Sequence, residues 1–142
     1  MNMTEQIQTC KFIDFIKIAH KNKIDFAKIM LECGAATFLG IDFSKPNYPY
    51  VIKKELLDES SYCKYPYYVT YYPYKSYVMF EISERILLWV GFTEVKERKK
   101  GYMTQLFKSI IEQFSNKEVV GDSHDKNMIQ ICESLKIKMH KD

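Results

Sequence analysis

The sequence predicts an α+β fold, a mixed β-sheet flanked by helices. Apolar residues recur at helical spacing through the first third of the chain, and two apolar β-type runs follow each other in the middle. After them the order is helix, strand, helix and a short end. With 142 residues, 46% apolar and 27% charged, one domain over 1–142 is expected, long enough to bury a core.

Taken in order, "FIDFIKIAHKNKIDFAKIMLECG" places Phe12, Ile13, Phe15, Ile16 and Ala19, then Phe26, Ile29 and Met30, on helical faces. Gly34 is the expected stop, and either one bent helix or two, broken near Asn22, fits the pattern. "ATFLGIDF" (36–43) reads as a short strand, "SKPNYPY" as a turn-rich link, and "VIKKELLDES" (51–60) as a short helix. The segment 62–77 holds eight of the eleven tyrosines, a strand-favouring residue, while Pro66 and Pro73 point to an edge strand or irregular connection. Its rings are expected to pack the rim of the core with their hydroxyls in water; the competing reading is an aromatic platform for bases or a partner. "YVMFEIS" (77–83) and "ILLWVGFTEV" (86–95) read as two strands joined by "SER", the second central to the sheet. A helix through about Ser115, a strand over 118–122 and a helix from about Lys126 to Leu135 complete the order.

Composition narrows the function classes. A net charge of +3 is too small to argue for nucleic acid. Four cysteines without a CxxC pair, and no secretory segment before them, point to free thiols in a reducing cytoplasm. The longest apolar run, "ILLWVGF", is too short to span a bilayer. Nineteen lysines against two arginines, with many Ile, Tyr and Asn residues, suit an AT-rich genome, bacterial or phage. Each arginine is then a pointer to a need for its planar, multi-donor head. No residues have metal-ligand spacing, no Ser/His/Asp arrangement is visible, and His20, His124 and His140 are scattered.

The stretch with chemistry in it is "EVKERKKGYMTQLF" (94–107), where a central strand runs through a basic turn into an amphipathic helix. Unpaired first-turn N–H groups and about half a positive charge of helix dipole favour an anion at such a place. Gly101 allows a positive φ or the close approach of a diphosphate, and Arg98, Lys99 and Lys100 supply the field. A solvated turn before a surface helix is the plainer reading of the same residues.

The spacing Arg98-x-x-Gly101-x resembles the acyl-coenzyme A motif of the GNAT acyltransferase superfamily, Arg/Gln-x-x-Gly-x-Gly/Ala; Met103 departs from it at the last position. "NMIQICESLKI", from Asn127, resembles that family's downstream helix, so the likeness covers about residues 78 to 137. It implies a GNAT-like splayed sheet, truncated at its C-terminal end because "KIKMHKD" can supply one short strand at most. It also implies acetyl transfer from acetyl-coenzyme A, with no metal, to an unidentified amine: a protein lysine or N-terminus, a small amine, or an aminoacyl-tRNA. The pantetheine would lie along Phe92, Thr93 and Val95, and the diphosphate on Arg98 through Thr104, including Tyr102, with Asn127 nearby. A strand N–H would stabilise the oxyanion. Cys132 occupies the position of the family's proton-donating tyrosine, and Glu94 and Glu81 are the strand carboxylates placed to act as base. The short end leaves the acceptor side open, missing, or completed by another subunit, as in a homodimer. A catalytically degenerate GNAT-like binding protein, such as a phage or bacterial inhibitor of a partner protein, is the alternative.

Overall fold

The computed structural model describes residues 7–32, 67–123 and 125–139. Its elements are β1 (Gln8–Lys11), α1 (Phe12–Lys21), α2 (Phe26–Glu32), β2 (Tyr67–Tyr72), β3 (Ser76–Ile82), β4 (Ile86–Thr93), a 3-10 turn (Val95–Glu97), α3 (Tyr102–Gln113), β5 (Val119–Gly121), α4 (Lys126–Ser134) and β6 (Lys138–Met139). The expected stop at Gly34, strand over 36–43, link over 44–50 and helix over 51–60 lie outside the described residues.

The first third is two helices rather than one. Lys23 takes a left-handed φ of 57°, its N–H donates to His20 C=O, and Ile24 N–H donates back to Ala19 C=O at 2.8 Å. These two reversed bonds close the C-terminus of α1, and α4 ends the same way at Lys136. A lysine in the left-handed slot usually given to glycine explains why the sequence carries no clear stop there.

The six strands lie side by side in chain order. β1 to β4 pair antiparallel, and β4–β5 and β5–β6 pair parallel, so the sheet is mixed and β4 lies within it. In β3, Tyr77 and Met79 bury toward α1 and α2, while Val78 and Phe80 bury toward α3 and α4. Both faces of the strand are covered, which is why it reads as a near-continuous apolar run.

Two expectations are corrected. Residues 8–11 form β1, a strand too short to declare itself by alternation; it pairs with β2, and Thr9 and Thr70 share a 2.7 Å hydrogen bond. The tyrosine strand β2 is consequently flanked on both sides rather than at the edge. Pro73 sits beyond it, in a turn closed by Lys75 N–H to Tyr72 C=O at 2.9 Å, where no ladder bond is lost. Nor do the rings only line the rim, since Tyr71 and Tyr77 are 1% and 3% exposed. Their hydroxyls are satisfied inside: Tyr71 donates to Gln8 Oε1 (2.9 Å), and Tyr77 accepts from Tyr74 N–H (3.0 Å).

The strand pair β3–β4 carries a bulge. Met79 pairs with Val90 but Phe80 pairs with Leu88, leaving Trp89 as an extra residue on β4. Trp89 stacks on Tyr67 with ring centres 5.0 Å apart, and both Trp89 and Val90 pack toward the α1–α2 layer.

Burial raises several acidic groups of this core. The Cys10 thiol is pushed up to about 12 by burial and then by Asp14, and the Tyr71 phenol up to about 12 by burial and then by Cys10. Burial also raises Tyr77. A group whose folded pKa is raised stabilises the fold below its unfolded pKa, and that contribution disappears as pH climbs toward the folded value. Stability is therefore expected to be flat up to about pH 8.5 and to fall steadily above it. Urea midpoints measured between pH 7 and 11 check this. Cys10→Ala and Tyr71→Phe should each flatten part of the alkaline decline.

Candidate functional site

β4 and β5 stay together for three residues only, ending at the pair Leu88–Gly121, and the last link is Asp122 N–H to Leu88 C=O at 2.7 Å. β4 then runs on to Thr93, while the segment after β5 leads into α4. The gap is a cleft of ≈ 560 Å³ whose walls are Gly91 to Thr93 of β4, the loop and first turn of α3, and Asp125, Asn127 and Ile131 at α4, with Glu32 at the end of α2.

The register decides what β4 presents there. Glu94 N–H bonds Lys75 C=O at 2.8 Å, which makes Ser76–Thr93 and Val78–Gly91 the pairs without mutual hydrogen bonds. The N–H and C=O groups of Gly91 and Thr93 therefore face away from β3, toward the cleft. Thr93 C=O already accepts from Arg98 Nε at 3.1 Å, which pins the arginine to the end of the strand. The Phe92 side chain points the other way, buried in the α1–α2 layer.

At the mouth, the backbone takes two left-handed residues, Lys99 (φ 66°) and Gly101 (φ 82°). Gly101 is the N-cap of α3 and supplies no side-chain cap. The N–H groups of Tyr102, Met103 and Thr104 fall within the first turn, where a helix has no internal acceptor for them. A Cβ on Gly101 would meet nothing within 4 Å, so glycine is needed there for its φ and not for space.

Met103, the departure from the family motif, does not enter the cleft as an obstacle. Its side chain is 7% exposed and lies over Gly91, where a Cβ would come within 2.8 Å of its Cε. The missing side chain at Gly91 makes room for Met103 and Met128 to pack against the strand.

Of the residues expected to hold a coenzyme, Phe92, Thr93, Arg98, Lys99, Gly101, Tyr102, Met103, Thr104 and Asn127 line this cleft. Lys100 does not; it bonds Glu97 at 3.1 Å, and that contact, followed by the charges of Lys100 and Lys75, holds the Glu97 carboxyl below its ordinary pKa. Val95 is 67% exposed and lines a second hollow, of ≈ 470 Å³, beside the α1–α2 turn. Glu94 lines that hollow too, in a 2.8 Å ion pair with Lys28. Glu81 is opposite Leu87, at the other end of β3 and β4. Cys132 is 1% exposed, its Sγ within 2.8 Å of where a Gly121 Cβ would be, and burial raises its pKa. The three residues expected to move protons are thus not brought together.

Gly91, Asp125, Ile131 and Glu32 went unforeseen. Two carried readable signals: a lone glycine inside a strong strand marks close approach, and an aspartate just before a helix marks its cap. Asp125 does accept from Met128 N–H at 3.0 Å.

With its thiol packed into the core, Cys132 is expected to act through stability. Cys132→Ala should lower unfolding free energy by about 1 kcal/mol, the worth of a small buried side chain. Ligand affinity at the cleft should be unchanged; a denaturant series beside a titration checks both.

Among the described residues no group of three or more His, Cys, Asp or Glu could hold a metal ion, and no helix is long and apolar enough to cross a membrane. No family model, no curated protein and no solved structure matches the chain.

Proposed function

We propose that the cleft binds acetyl-coenzyme A and that the chain is a GNAT-like N-acyltransferase acting on an amine. The observation that carries this reading is the opening between β4 and β5 with the uncapped N-terminus of α3 at its mouth. A diphosphate fits the first-turn N–H groups of α3, with the helix dipole and Arg98 and Lys99 adding charge. A pantetheine amide fits the cleft-facing backbone of Gly91 and Thr93 as a strand would, and the gap beyond Leu88 admits it.

The reaction is attack of a neutral amine on the thioester carbonyl. The amine nitrogen forms the new C–N bond, the C–S bond breaks, and the nitrogen proton must leave while the thiolate gains one. An unperturbed alkyl amine has a pKa of about 10.4, so a proton acceptor near the acyl end raises the rate. Glu94 is engaged by Lys28 outside the cleft, Glu97 is held by lysines, and Asp125 caps α4. That leaves Glu32 as the cleft carboxylate to take the proton, directly or through water. For the thiolate, solvent at the open cleft is the remaining proton source, since Cys132 is buried with a raised pKa.

The second reading, a binding protein on the same scaffold that does not turn over, is favoured by one observation: Cys132, the residue at the proton-donor position, is sealed in the core.

Calorimetric titration with coenzyme A, and thiol release from acetyl-coenzyme A with a set of amines, separate the readings. Wild type should bind coenzyme A, and Gly101→Val should lose it while staying folded, because a β-branched residue cannot hold a φ of 82°. Glu32→Gln should keep coenzyme affinity and lose about a hundredfold in turnover. Binding without acceptor-dependent thiol release would favour the second reading; no binding by wild type would refute the acyltransferase reading.

A further inference from the structure

Lys75 does not line the cleft, yet it meets the loop that does at three points. At the start of the loop its C=O accepts from Glu94 N–H (2.8 Å). In the middle its Nζ is 3.6 Å from Glu97 Oε2. At the end the same ammonium lies over the Tyr102 ring, 5.2 Å from its centre, where α3 begins. It is also 5.7 Å from the centre of the Tyr72 ring, which packs on Tyr102 at 4.9 Å.

The hairpin that carries Lys75 is held firmly. Lys75 N–H closes the turn on Tyr72, and Tyr74, at a left-handed φ of 66°, is tied by its hydroxyl to Asn22 C=O at 2.7 Å. The loop is held more lightly. Its internal bonds are Glu97 N–H to Glu94 C=O and a long Arg98 N–H to Val95 C=O, 3.4 Å, and two of its residues are left-handed. Beside the Arg98 bond to Thr93 and the packing of Tyr102 on Tyr72, the Lys75 contacts tie it to the sheet and its hairpin. Electrostatics add a second effect. Glu97 is a negative charge on the cleft wall, beside a place built for an anion, and it is shared by Lys75 and Lys100.

We propose that Lys75 is a positioning residue for the anion-binding loop: through Glu97 and Tyr102 it holds residues 97–102 where the N-terminus of α3 opens into the cleft. Its bearing on coenzyme binding rests on the acyltransferase reading above, whereas its hold on the loop does not.

The test has two arms. In the first, amide hydrogen exchange of residues 98–104 is compared, without ligand, in wild type, Lys75→Met, Lys75→Arg and Glu97→Gln. Lys75→Met should speed exchange there about tenfold and leave the amides of β3 and α4 alone. Glu97→Gln, which cuts the same tie without touching the hairpin, should speed it too. Lys75→Arg should restore most of the protection, because a guanidinium also pairs a carboxylate and stacks on rings. In the second arm, coenzyme A is titrated into wild type, both single variants and the double variant. Lys75→Met should cost about tenfold in affinity in the wild-type background and far less when Glu97 is already Gln, the mark of two residues acting as a unit. Unchanged loop exchange in Lys75→Met overturns the proposal. Equal costs in both backgrounds overturn it as well, since they would make Lys75 a plain attracting charge. Absence of coenzyme binding by wild type would refute the acyltransferase reading alone, and the exchange data would still decide whether Lys75 holds the loop.

Discussion

β3 has no residue to set against Trp89, and that mismatch shapes the cleft. The extra residue puts Trp89 and Val90 on the same side of the sheet and reverses the faces of everything after them. Phe92 consequently joins the core under α1 and α2, while Gly91 lies beneath α3 and α4, where Met103 needs the room. The bulge also falls immediately beyond the last pair of β4 with β5, Leu88–Gly121, and a bulged strand bends and twists more strongly. Remove the extra residue and the phenylalanine ring would occupy the floor of the cleft. A strand edge with free backbone groups is ordinarily a liability; here it borders a hollow of ligand size.

The site is rich in means to hold an anion and poor in means to move a proton. Its positive field comes from the helix N-terminus, Arg98 and Lys99; the two side chains are exposed, so their share of it is screened by salt. Several charges near it are spent on one another, as in Lys28 with Glu94 and in Lys75 and Lys100 with Glu97. Exposed pairs like these contribute little to stability individually. By position, the Glu97 pairs join the loop to the hairpin, and Lys28 meets Glu94 on the side of the second hollow.

Much of this architecture was legible in the chain. The strands β3 and β4, the turn at Gly101, and α3, β5 and α4 follow from apolar runs and local turn chemistry, which neighbouring residues settle among themselves. What could not be read depends on partners far away. Gln8–Lys11 is a strand only because β2 is beside it, and that pairing moves the tyrosine strand off the edge. Cys132 matched a position in a motif, but whether its thiol sees the cleft or the core is decided by its contact with Gly121, eleven positions earlier. Glu94 looked free for catalysis until Lys28 came across from another layer. The bulge left no trace in the alternation of "ILLWVGFT", because both faces of that strand are apolar.

The most direct measurement is a ¹H–¹⁵N correlation spectrum of the labelled protein with and without coenzyme A. The largest amide shifts are expected at Tyr102, Met103 and Thr104, where the diphosphate would sit, and at Gly91 and Thr93, where the pantetheine would lie against β4. An unchanged spectrum at saturating coenzyme would contradict this expectation. So would shifts confined to the tyrosine strand β2 or to the hollow around Lys28 and Val95.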